Sequence, residues 1–145
     1  MHRPSLIPEL REAPHGHQYD TTYWPVLGVI RYARPDDEAF EEHLRRMEAI
    51  FRRGEPIVLV VEPQCKETAD RQRIRRLIQW QRDLESDQCV GFASVIHSPL
   101  QRVTFGFMRA MLRGSGVPSR TFATFEEAVP WGLALIEQAK QRRAA

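Results

Sequence analysis

The chain has 145 residues, is 42% hydrophobic and 28% charged, and carries 21 basic against 19 acidic side chains, for a formal net charge of +2. A chain of this length buries roughly 70% of its unfolded surface, enough for one core without disulfides or metal. No stretch reaches the ~20 uninterrupted apolar residues of a membrane span, and the opening residues lack an apolar h-region, so the expectation is a cytoplasmic protein.

Residues 1–17 hold Pro4, Pro8, Pro14 and Gly16 with only Leu6, Ile7 and Leu10 as apolar anchors. They read as an arm, loosely docked or disordered. The domain proper spans 18–140, and 141–145 form a short basic and alanine-containing tail. Alternation over Tyr19 to Tyr23 suggests a short first strand, and Val26 to Tyr32 a longer second one. Pro35 followed by Asp36, Asp37 and Glu38 opens a helix, because proline suits the first turn and carboxylates favour the positive end of the helix dipole. Phe40, His43, Leu44, Met47, Ile50 and Phe51 then recur at helical spacing up to Gly54.

Pro56 to Glu62 holds an unbroken apolar run rich in β-branched residues, the pattern of a strand covered on both faces in a parallel sheet. Thr68 caps a second helix, whose stripe is Ile74, Leu77, Ile78, Gln81 and Leu84 with Trp80 flanking it. Cys89 to His97 is another short apolar strand. Ser98, Pro99 and Gln101 supply a cap, a first-turn proline and a capping-box partner for a third helix ending before Gly114. Ser119 to Ala123 is a last short strand. Thr124 with Glu127 opens the terminal helix, where Pro130 is expected to cause a kink or a later start. The order β-β-α-β-α-β-α-β-α implies a single-domain α/β fold with a mainly parallel central sheet and about four helices.

Cys65 and Cys89 form no CxxC pair, and the ends of neighbouring parallel strands would hold them roughly 20 Å apart, too far for a disulfide. Nineteen arginines stand against two lysines, Lys66 and Lys140, and five lie between Arg71 and Arg82. Asp70, Asp83, Glu85 and Asp87 interleave with them, so this is read as a solvated helix face and no nucleic-acid partner is expected.

Neither GxGxxG nor GxxxxGK[ST] occurs, which disfavours phosphate-cradling chemistry, and the nucleophile elbow GxSxG is missing. His15 and His17 form an HxH pair beside Asp20, but a metal site needs a third fixed ligand, so neither metal nor cofactor is expected. His43 falls on the apolar side of its helix and reads as a core or boundary residue. His97 differs, because it ends a parallel strand, where α/β sheets place their ligand crevices. Glu62 and Cys65 end the neighbouring strand, so Glu62, Cys65, His97 and Ser98 are candidates to converge. A Cys65–His97 pair would support nucleophilic chemistry, one of the alternatives left open.

Taken together, WPVLGVIRYA leading into DDEAFEEHLRRMEAIF, the strands PIVLVVE and VGFASVIHS, and the ending SRTFATFEEAVPWGLALI resemble the SpoIIAA-like branch of the STAS domain family. The most specific part is the ending, with Arg120, Phe122, Phe125, Glu126, Glu127, Ala128 and Trp131. The resemblance implies a STAS-like fold and a non-enzymatic regulatory role, binding a partner protein, in which a hydroxyl at the start of the second helix is phosphorylated to break the contact. Carried to this chain, the phospho-acceptor candidates are Thr68 and Ser98, although the family's aspartate-serine signature is replaced by EPQCKETAD. The expected contact surface comprises Glu62, Cys65, Arg71, His97 and Gln101. A small anionic or lipid-like ligand at the same crevice is the alternative, and a homodimer stays open.

Overall fold

A computed structural model describes residues 7–64, 71–84, 88–102 and 116–145. Five strands form one sheet in sequence order: β1 (His17–Asp20), β2 (Val26–Arg31), β3 (Ile57–Pro63), β4 (Cys89–Val95) and β5 (Ser119–Phe122). β1 runs antiparallel to β2, and the pairs β2–β3, β3–β4 and β4–β5 are parallel. Among the described residues the helices are α1 (Asp37–Phe51), α2 (Arg71–Leu84) and α3 (Phe125–Ala144), with a short 3-10 turn over Pro8–Leu10 and a helical turn over residues 99–102 after β4; most of the helix expected between Ser98 and Gly114 lies outside the described residues. The chain is therefore α/β with a mostly parallel sheet, as its alternating pattern implies.

Each face of the sheet carries its own apolar layer. Leu27 and Val29 of β2 with Ile57 and Leu59 of β3 meet Phe40, Leu44, Met47, Ile50 and Phe51 of α1 and Trp80 of α2. Val26, Val58, Val60, Ala93 and Val95 meet Ala128 and Ile136 of α3 on the other side. Side chains alternate along a strand, so an unbroken apolar run serves both layers at once. The β3 sequence IVLVVEP is the clearest case. Gly132 of α3 belongs to this fit, because a Cβ there would stand 3.0 Å from Val26 and 3.2 Å from Val58.

Helix ends follow local chemistry. The Asp36 carboxylate accepts from the Ala39 N–H at 2.7 Å and caps α1. Thr124 caps α3 by accepting from the Glu127 N–H at 3.2 Å, while the Glu127 carboxylate accepts from the Ala123 N–H at 3.3 Å. That cap settles one expectation at Pro130. The helix starts at Phe125 and continues past the exposed proline, so no later start occurs.

Two boundaries move. The first strand occupies His17–Asp20, not Tyr19 to Tyr23. The Asp20 carboxylate accepts from the Thr22 N–H at 2.9 Å, and Trp24 and Val26 close successive turns, which ends the strand and leaves Tyr23 exposed. Trp80 belongs to the buried side of α2 instead of flanking it, 8% exposed and 6.1 Å from the Phe51 ring.

Residues 7–16 lie against α1. Ile7 and Leu10 enter its apolar layer, Arg46 donates to the carbonyls of Glu9 and Arg11, and Arg53 meets the Glu9 carboxylate at 2.9 Å. Gly16, with φ of +83°, then turns the chain into β1, at a place where a Cβ would stand 2.5 Å from the Ala33 carbonyl.

Candidate functional site

The carboxyl ends of β3 and β4 lie side by side, and their parallel pairing brings Glu62 toward His97. The imidazole Nε2 of His97 lies 2.8 Å from Oε1 of Glu62. Glu62 continues the Val58–Val60 row and His97 the Ala93–Val95 row, so period-two alternation sends both toward the face that α3 covers. The pair sits where that cover is incomplete: the His97 side chain is 47% exposed and that of Glu62 18%.

Gln101 fixes this geometry. Its Oε1 accepts from the His97 backbone N–H at 2.8 Å, and its Nε2 donates to the Pro63 carbonyl at 3.0 Å. One side chain thus ties the end of β3 to the junction after β4. Ser98 Oγ accepts from the Gln101 N–H at 3.2 Å, which makes Ser98 the cap of the turn over residues 99–102. Leu100, on that turn, is 61% exposed. The result is a polar rim with an apolar residue beside it, held in place by hydrogen bonds from the Gln101 and Ser98 side chains to main-chain groups.

Of the residues singled out in the sequence, Glu62, His97, Ser98 and Gln101 therefore meet. Arg71 stands exposed at the first position of α2, and among the described residues no contact joins it to that group. Cys65 and Thr68 lie outside the described residues. The Ser98 hydroxyl is engaged as a cap and is not hydrogen-bonded to the His97 ring. The other cysteine, Cys89, is a free thiol whose pKa burial pushes up to about 11, away from thiolate chemistry.

The second polar group lies on the opposite face, under α1. His17 of β1 stacks on His43 of α1 with ring centroids 4.3 Å apart and an interplanar angle of 13°. Tyr19 also lies near-parallel to His43, with ring centroids 5.7 Å apart and its hydroxyl 2.7 Å from Nδ1. Burial, then the positive charge of Arg31, lower the His17 pKa to about 4. Burial also holds His43 well below the ordinary imidazole value and raises that of the Tyr19 hydroxyl. Both rings are consequently neutral at pH 7.

The sequence reads His43 as a core or boundary residue and His17 as part of the arm, so nothing in it pairs the two. The usable signal was the alternation of His17 and Tyr19 on one strand face. The HxH pair itself is split: His15 is exposed and edge-on to Tyr32 at 6.4 Å, while His17 turns inward. Among the described residues no group of three or more His, Cys, Asp or Glu side chains is arranged to hold a metal ion, and no helix is long and apolar enough to cross a membrane. The chain matches no family model, and no curated protein or solved structure is significantly similar to it.

Proposed function

We propose that this chain is a STAS-like, non-enzymatic regulatory domain that docks a partner protein on the rim built by Glu62, His97, Ser98, Leu100 and Gln101. The observation that carries the reading is the Gln101 clamp. By bonding both the Pro63 carbonyl and the His97 N–H, it pre-orders a hydrogen-bonding surface before any partner arrives, and such pre-ordering lowers the entropy cost of association. Leu100 adds exposed apolar area at the same place. The Glu62 carboxylate within the rim disfavours an anionic ligand there, and the Ser98 hydroxyl, engaged as a cap, is not paired with His97 as an activated nucleophile would be.

In the switch implied by the resemblance the hydroxyl at the start of the second helix is Thr68, which lies outside the described residues; the second candidate, Ser98, caps the turn over residues 99–102. A phosphate on Ser98 adds about −2 charge and bulk at a helix start, so it would displace the Gln101 N–H bond and reshape the rim. Site-specific photo-crosslinking tests the reading. Benzoylphenylalanine in place of Leu100 is expected to give a discrete protein adduct in the native host, and the same group in place of Leu133, exposed on α3, is not. The adduct from position 100 should disappear when Glu62→Gln and His97→Ala are added. Equal labelling from both positions, or a small molecule retained at this rim in the native mass spectrum, would overturn it.

A further inference from the structure

We propose that β1 and the segment before it form a strap that acid releases, latched by the stacked imidazoles of His17 and His43. The strap is residues 7–20. It is an edge, because β1 pairs with β2 alone, while β2 to β5 keep their parallel partners and the α3 layer without it. It covers part of α1 through Ile7 and Leu10 and through the bonds of Arg46 and Arg53.

The latch is built to reject a proton. His17 is 3% exposed, and its Nδ1 lies 3.2 Å from the His15 carbonyl. A carbonyl only accepts, so Nδ1 carries the hydrogen and Nε2 is the basic nitrogen. That Nε2 is buried and has no hydrogen-bond partner among the described residues. Positive groups face the two rings from the neighbouring elements: Arg31 directly across from His17 on β2, Arg73 from α2 and Arg46 from α1, while the exposed His15 imidazole neighbours His17 on the strap itself. Glu42 of α1 bears on Tyr19, but Arg45 at 2.7 Å and Arg46 at 3.3 Å already engage it. Neither ring is hydrogen-bonded to a carboxylate.

A proton arriving at either ring therefore meets burial, like charge and a stacked neighbour, and opening the strap puts the ring in water. Each ring that binds a proton only in the open form raises the opening constant about tenfold per pH unit below about pH 6.5. Local opening of an edge element is cheaper than global unfolding, so the strap opens first.

Hydrogen–deuterium exchange of the full chain between about pH 7 and pH 4.5, corrected for intrinsic rates, tests this. Protection over residues 7–20 is expected to fall at least about tenfold per pH unit, while β3 amides stay protected at a pH where β1 has already exchanged. His17→Phe, which keeps a ring for stacking, should remove one proton's worth of slope, and His43→Gln, which keeps a side-chain acceptor for Tyr19, should do the same. The wild-type series decides the matter even if a variant fails to fold. Strap and β3 losing protection together, or strap protection unchanged across the range, would overturn the proposal.

Discussion

His17 and His97 lie along the same rim of the sheet, one across from the end of β2 and the other beyond the end of β4, yet on opposite faces. His97 keeps a carboxylate partner and 47% of its side-chain surface in contact with solvent. His17 is buried, stacked and surrounded by arginines. The comparison teaches that position at a strand end does not define what a histidine does. Its charged neighbours and its access to water decide between a surface contact and a proton-excluding latch.

The largest effect that separates the two regions is expected from Leu44→Ala. Leu44 follows His43 on α1 and is 1% exposed, so its truncation should cost about 2–5 kcal/mol in urea unfolding. Crosslinking from position 100 should survive in the folded fraction, because the rim belongs to the other face. Loss of the adduct in proportion to Leu44 truncation would show that the two regions are not independent.

Next in size is the pH dependence of stability. Folding lowers the His17 pKa to about 4, so protonation favours the unfolded chain. Its contribution is complete above about pH 6.5, declines as pH falls, and levels off near 4, for a loss of about 3 kcal/mol from this ring alone. His17→Phe should flatten that portion of the stability-versus-pH curve, and Glu62→Gln should leave it unchanged.

Smaller again is Gln101→Ala, which removes the side-chain bonds to the Pro63 carbonyl and the His97 N–H. About 1–2 kcal/mol is expected in thermal or urea unfolding, with a disproportionate loss of crosslinking from position 100. The smallest effect is from Glu62→Gln. A pair this open to water contributes at most about 1 kcal/mol, so stability should barely move while partner capture weakens. Equal loss of stability and capture would make the rim structural.

Much of the fold was legible because local rules agreed with global ones. The apolar, largely β-branched run Ile57 to Val61 signals a strand buried on both sides, and the spacing of Phe40, Leu44, Met47 and Phe51 a one-sided helix. The Ser98–Gln101 capping pattern was also readable, though not the reach of Gln101 to Pro63, which depends on parallel pairing. Glu62 and His97 were found by one argument, that strands of a parallel sheet end together. The latch was not legible. Tyr19 and His43 are 24 residues apart on elements of different period, and their contact follows only from the register of β1 on β2 and the docking of α1. Asp20 taking the Thr22 N–H moved the first strand toward His17, a turn preference that alternation alone had outvoted.

The protonation state of His17 can be read directly from imidazole nitrogen chemical shifts in a pH titration of the folded chain. His17 should stay neutral at pH 6, with the proton on Nδ1, and take up a second proton only as pH approaches about 4. An ordinary titration of His17 near pH 6.5 in the intact fold would contradict both the dry latch and the distinction drawn here between the two faces of the rim.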